Sequence, residues 1–135
     1  MVGAVTDKIK AEDLANVLAA AHGKVKNKYG NKRVERHGMT FDSVREADRY
    51  DELRLLEKGG EICHLERQVP FPLNGRDGPI KTPTGKQAFY IADFTYVDWR
   101  LNGAKVVEDA KGVETEIFKL KRAILAADGV EIVTT

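Results

Sequence analysis

Residues 88–98 read AFYIADFTYVD, a run of β-branched and aromatic side chains that suits a pleated strand and little else. Asn102-Gly103 follows closely and is the best short hairpin signal in the chain. Residues 104–111 are therefore expected to return as the partner strand. A chain with such a hairpin must build a sheet, and the rest of the sequence has to cover it.

The covering elements can be read on either side. Residues 43–58 carry the clearest helix: Ser43 and Glu46 have capping-box spacing, and Gly59-Gly60 ends it. At about 100° per residue, Tyr50, Leu53 and Leu56 form one apolar stripe, and Glu46 falls inside it, close in angle to Leu53. Residues 61–73 read as a strand with Leu65, Val69, Phe71 and Leu73 on one side, and Pro70 and Pro72 place it at an edge or cut it short. Residues 74–87 are a Gly- and Pro-rich loop. Residues 114–127 form a last helix with Ile117, Leu120, Ile124 and Leu125 inward and Gly129 as its cap, and residues 130–133 a final strand. Before all this, residues 7–21 read as a helix started by Asp7 and stopped by Gly23, an appended arm or a dimerisation element. Residues 24–40 are polar and expected to be mobile, with room for a short strand. The order of elements gives a mixed α/β core.

The length of 135 residues fits one domain. The expected division is 1–27, an N-terminal helix and basic linker, and 28–135, the main domain. No apolar run approaches the ~20 residues of a membrane span, and the N-terminus is too short and polar-flanked for a signal peptide. A single cysteine, Cys63, forbids an intrachain disulfide and suits a reducing cytoplasm. Three scattered histidines and that cysteine give no zinc-site spacing.

Net charge is only +1, but its distribution is uneven. The segment KVKNKYGNKRVERH holds Lys24, Lys26, Lys28, Lys32, Arg33 and Arg36 against one acid, Glu35. Lys119, Lys121 and Arg122 form a second group. Concentrated cations suit a phosphate backbone; a solvated lysine-rich linker is the competing reading.

The chemistry-bearing residues lie on the hairpin. Asp109 and Lys111, at i and i+2 of a strand, project from one face. Asp93 stands on the preceding strand, where a buried carboxylate without a partner is costly. Two acids and a lysine on adjacent strands form a hard-cation site. Mg²⁺ suits a few carboxylates and retained waters, Mn²⁺ is expected to substitute, and the lysine can orient water or steady phosphate charge. Strand parity divides the choice of second acid. A perfect two-residue turn at Asn102-Gly103 pairs position 97 with 108 and puts Asp93 on the face of Glu108; a bulge near Asp98-Trp99-Arg100 restores Asp109. Asp109 is preferred because Lys111 shares its face, with Glu108 as the alternative. For an Asp-x-Lys triplet alone, a solvated cross-strand salt bridge is the commoner outcome.

Four pieces, FDSVREADRYDEL, LERQVPFPL, YIADF and VVEDAKG, together resemble the PD-(D/E)XK nuclease superfamily with its restriction-endonuclease-like fold, a mixed β-sheet flanked by helices. The layout is similar to that of small phage-encoded Holliday-junction-resolving endonucleases, over roughly residues 28–133. The resemblance implies that Glu46 is a helix-borne acid helping to bind metal or its water. Asp93 would be the central metal ligand, Asp109 the motif acid and Lys111 the motif lysine, with Gln68 helping to hold the site. Ala92 departs from the proline many members carry before this Asp. The implied activity is Mg²⁺-dependent hydrolysis of DNA phosphodiester bonds, on branched DNA. Resolving a four-way junction takes two nicks, so a twofold homodimer is expected. A nicking, restriction-like, flap or single-strand nuclease would use the same site, and a non-catalytic DNA-binding protein is the reading from another class. Ser43 is read as a cap rather than a nucleophile, Cys63 as a packing residue, and Trp99 as hairpin packing rather than a base-stacking platform.

Overall fold

The computed structural model describes residues 32–135. The expected helix at 7–21, the 1–27 segment and Lys24, Lys26 and Lys28 lie outside these residues. The chain is an α/β protein with a four-stranded mixed sheet and two helices. A short hairpin comes first, β1 (Val34–Arg36) and β2 (Met39–Phe41), where a polar segment was expected. Helix α1 (Val44–Lys58) follows, then β3 (Ile62–Pro72). The tiny strands β4 (Asn74–Gly75) and β5 (Gly78–Pro79) pair within the expected loop. Next come β6 (Phe89–Asp98) and β7 (Ala104–Asp109), helix α2 (Glu116–Ala127) and β8 (Ile132–Thr134). The sheet order is β3-β6-β7-β8, with β6 and β7 antiparallel and β7 and β8 parallel. Among the described residues, no helix is long and apolar enough to cross a membrane.

Packing divides the described residues into two compact units. The first holds residues 32–69, 92–113 and 132–135. Its core is Phe41, Ala47, Tyr50, Leu53, Ile62, Phe94 and Tyr96, with Val34, Met39, Leu56, Leu65 and Val106 packed against it. The α1 stripe of Tyr50 and Leu53 meets β-strand aromatics there, as the helical period requires. Ser43 caps α1, its Oγ accepting from the Glu46 N–H at 3.1 Å. The second unit holds Pro70–Ile91 and Glu114–Glu131. It buries Leu73, Ile80, Ala88, Tyr90, Phe118, Ile124 and Leu125. The Gln87 side-chain amide reaches the carbonyls of Leu73, Ile80 and Ala88 at 2.7–3.2 Å. On α2, Ile124 and Leu125 are buried as expected, Ile117 and Leu120 are half-buried, and Phe118 joins the buried face.

The β6–β7 connection is not the two-residue turn read from Asn102-Gly103. A single 3₁₀ turn, Trp99–Leu101, intervenes, with Asp98 Oδ1 accepting from the Arg100 N–H at 2.9 Å. Asn102 and Gly103 then sit at φ 58° and 79° and bring the chain back. Val97 pairs with Lys105 instead of position 108, and Phe94 with Glu108. The shift is odd, so parity flips. The longer loop performs the reset that had been assigned to a bulge.

Candidate active site

The site lies entirely in the first unit and is built by α1, β3, β6 and β7. The registered β6–β7 pairing ends at Phe94↔Glu108, one step before Asp93 and Asp109. From there the two carboxylates take over ladder hydrogen bonds. The Asp93 backbone N–H donates to Asp109 Oδ1 at 2.8 Å, and the Ala110 N–H donates to Asp93 Oδ2 at 3.0 Å. Each acid is thus fixed by an amide of the opposite strand, side by side on one face.

Asp109 is 1% exposed, yet its Oδ2 is buried and accepts no hydrogen bond. Lys111 Nζ stands off at 4.0 Å. Burial raises the Asp109 carboxyl above its usual range, against the pull of Lys111 and of the Asp93 amide. Asp93, half-buried, is likewise raised by burial, opposed by the Ala110 amide, Lys111 and the Gln68 side chain. A buried carboxylate oxygen left empty is costly, and a cation is the natural complement to two adjacent acids in this state.

Glu46 comes from the first turn of α1 and is 2% exposed. Gln68 Nε2 donates to its Oε1 at 3.2 Å, and Arg67 Nη2 lies 3.5 Å from the same atom. Its carboxyl is pushed up to about 7, first by burial, then by the charges of Asp93 and Asp42, with Arg67 opposing. Gln68 contacts both Glu46 and Asp93 and so holds two of the acids. It does so from a left-handed backbone, φ 53°, inside β3; His64, in the same strand, also has a positive φ of 55°. A non-glycine residue pays about 1 kcal/mol or more for that conformation; here it aims an amide at the acids. Among the described residues no group of three or more His, Cys, Asp or Glu side chains is set around one metal position. Glu46, which the resemblance makes a helper of the metal or its water, lies beside Asp93 and touches Gln68. The pair that could hold an ion is Asp93 and Asp109, with Glu46 behind it.

Glu108 points the other way and is not available as the alternative acid. It is fully buried and takes Arg49 through two bonds, Nε to Oε2 at 2.6 Å and Nη2 to Oε1 at 2.9 Å. The Tyr96 hydroxyl donates to Oε1 at 2.6 Å, and Thr135 Oγ1 to Oε2 at 3.2 Å. This pair ties α1 to β7. It escaped the sequence reading, whose only hint was an arginine one turn after Glu46.

The proposed phosphate contacts divide. Lys32 and Arg33 are exposed. Arg36 is instead committed to Asp48 at 2.9 Å and Asp51 at 2.7 Å. Lys119 pairs with Glu116 at 3.4 Å, and Lys121 donates to the Phe89 carbonyl at 3.2 Å, both in the second unit. Trp99 is 58% exposed and lies against Gly103. Cys63 is half-buried.

A family model matches residues 26–134, nearly the whole described chain. The chain belongs to the family described as protein of unknown function, DUF1064. No curated protein and no solved structure matches it. Every residue of the DUF1064 site just described falls inside the matched span.

Proposed function

We propose that this DUF1064 protein is a Mg²⁺-dependent DNA endonuclease with Asp93, Asp109, Lys111 and Glu46 as its working groups. The observation that carries the reading is the empty, buried Asp109 Oδ2 beside a second carboxylate and a lysine. Asp93 and Asp109 would hold the ion, an arrangement that suits Mg²⁺, with Mn²⁺ substituting, because such ions keep several waters. When bound, the ion supplies Lewis-acid charge and a more acidic water.

The chain's own residues account for the rest. Water attacks phosphorus in line and gives its proton to Glu46, while the bond to the leaving oxygen breaks, that oxygen keeping the electron pair and taking a proton from solvent. A carboxyl at about 7 accepts a proton reversibly near neutral pH. The Lys111 ammonium, held near Asp109, steadies charge on the phosphate. Gln68 keeps Glu46 and Asp93 in place. The order α1-β3-β6-β7-α2-β8 supports the restriction-endonuclease-like reading, and the four-part resemblance supports the superfamily. Branched DNA as substrate, a homodimer and a cytoplasmic setting belong to the same proposal.

The test is incubation with a four-way junction, linear duplex and single-stranded DNA, each in Mg²⁺ and in EDTA. Mg²⁺-dependent cleavage favouring the junction is expected. Binding without cleavage of any DNA would overturn the catalytic reading; equal cleavage of all three would remove junction selectivity.

A further inference from the structure

Most arginines of the first unit outside its N-terminal edge, where Arg33 is exposed, are matched to acids. Arg36, Arg49, Arg54, Arg67 and Arg100 each lie within 4.0 Å of a carboxylate. Arg45 does not: among the described residues it has no carboxylate partner, and its Nη1 makes only a long bond, 3.5 Å, to the Thr135 carbonyl. It is exposed. A Cβ placed on Gly112 would sit 3.6 Å from Arg45 Nε, so the guanidinium lies against the residue that follows Lys111.

Its position on α1 is unfavourable for stability. Arg45 occupies the first turn, where the helix dipole favours an acid and disfavours a cation. It also stands four residues before Arg49, a like-charge spacing. The acids of the neighbouring surface do not compensate. Arg45 borders a depression of about 420 Å³ with Asp48, Arg49, Glu52 and Thr135. Asp48 is taken by Arg36 at 2.9 Å, and Glu52 by Arg49 at 2.8 Å. The fold thus keeps an exposed guanidinium against Gly112 and next in sequence to Glu46, held by one long bond to the Thr135 carbonyl and, among the described residues, by no carboxylate.

We propose that Arg45 is a substrate-contact residue that grips a DNA backbone phosphate next to the one being cleaved. The inference rests on the nuclease reading above and extends it. A planar guanidinium suits a phosphate through paired N–H donors, and the site already presents Lys111 to the scissile group. Arg45 contributes to binding rather than to the chemical step.

The test is fluorescence anisotropy of a labelled four-way junction in EDTA, across a salt series, with the full chain and its Arg45→Ala and Arg45→Lys variants. Thermal melts and Mn²⁺ titration accompany it. For Arg45→Ala, affinity is expected to fall roughly five- to tenfold at low salt, and the slope of log K against log salt to shrink by about 0.9, one phosphate contact. Melting temperature should hold or rise, since a cation leaves the first turn of α1, and Mn²⁺ binding should not change. Arg45→Lys should keep the wild-type slope. An unchanged slope in Arg45→Ala, with wild type binding normally, would overturn this inference and leave the nuclease reading standing. So would a binding loss matched by a fall in melting temperature. A wild-type chain that binds no DNA would overturn both.

Discussion

The Arg49–Glu108 pair invites the sharpest test of how this site is held. Glu108 has no solvent exposure and four hydrogen bonds, two of them from Arg49. Replacing Arg49 with Met keeps most of the apolar stem but removes the cation. Glu108 is then a buried carboxylate supported only by the Tyr96 and Thr135 hydroxyls. Removing one partner of a buried pair costs about 3–5 kcal/mol, because the remaining charge is uncompensated. For a chain of this size that is a fall of roughly 10–20 °C in melting temperature. The double variant Arg49→Met, Glu108→Leu removes both charges and should recover much of the loss, since apolar replacements of buried pairs are often neutral or stabilising. Urea unfolding followed by circular dichroism, completed as a double-mutant cycle, measures both quantities. A loss under about 1 kcal/mol in Arg49→Met, or a double variant worse than the single, would refute the argument that this pair pins α1 to β7.

Three further outcomes follow from the geometry. Asp109→Asn keeps an acceptor for the Asp93 amide but lowers charge where Oδ2 is empty, so Mg²⁺-dependent cleavage should drop by roughly a thousandfold or more while urea stability holds or increases. In EDTA, the folded chain holds its proton on Glu46 up to about pH 7, well above the ordinary 4.5, so stability should fall as pH rises between those values. The loss is at most about 3 kcal/mol, and Glu46→Gln should flatten the curve. Gly103→Ala places a side chain at φ 79° and within 2.8 Å of the Trp99 ring, at a cost of about 2 kcal/mol by chemical denaturation; adding Trp99→Ala should return part of it.

Much of the first unit was legible because its signals are local. Ser43 and Gly59 bound α1 within a residue of expectation, since capping and termination are decided by neighbours in sequence. Asp93 could be named because it interrupts a run of β-formers, and Asp109 because it shares a strand face with Lys111. Their parity could not be fixed. Asn102-Gly103 is compatible with more than one loop length, and the chain's choice depends on Asp98 capping a 3₁₀ turn and on Trp99 lying over Gly103. The charge of Lys119 and Lys121 shows in sequence, whereas the neighbours they meet, Glu116 and the Phe89 carbonyl, depend on packing. Gln68 reaches the acids only through a left-handed residue within a strand, which no periodicity announces.

The two neighbouring acids of β7 show why burial alone would not have found the site. Glu108 and Asp109 are equally hidden, and both face the same cost of losing water. The protein meets that cost for Glu108 with a guanidinium and two hydroxyls. For Asp109 it supplies one backbone amide and leaves Oδ2 bare, with Lys111 no nearer than 4.0 Å. A chain that can bury a fully satisfied acid at one position had the means to satisfy the next. The deficit at Asp109 falls on the face that also carries Asp93 and is backed by Glu46 at about 7. The same unevenness recurs among the cations, where Arg49 is fully engaged and Arg45, one turn away, has no acid among the described residues. The bare Asp109 Oδ2 and the exposed Arg45 guanidinium are what the proposed divalent ion and phosphodiester would complement.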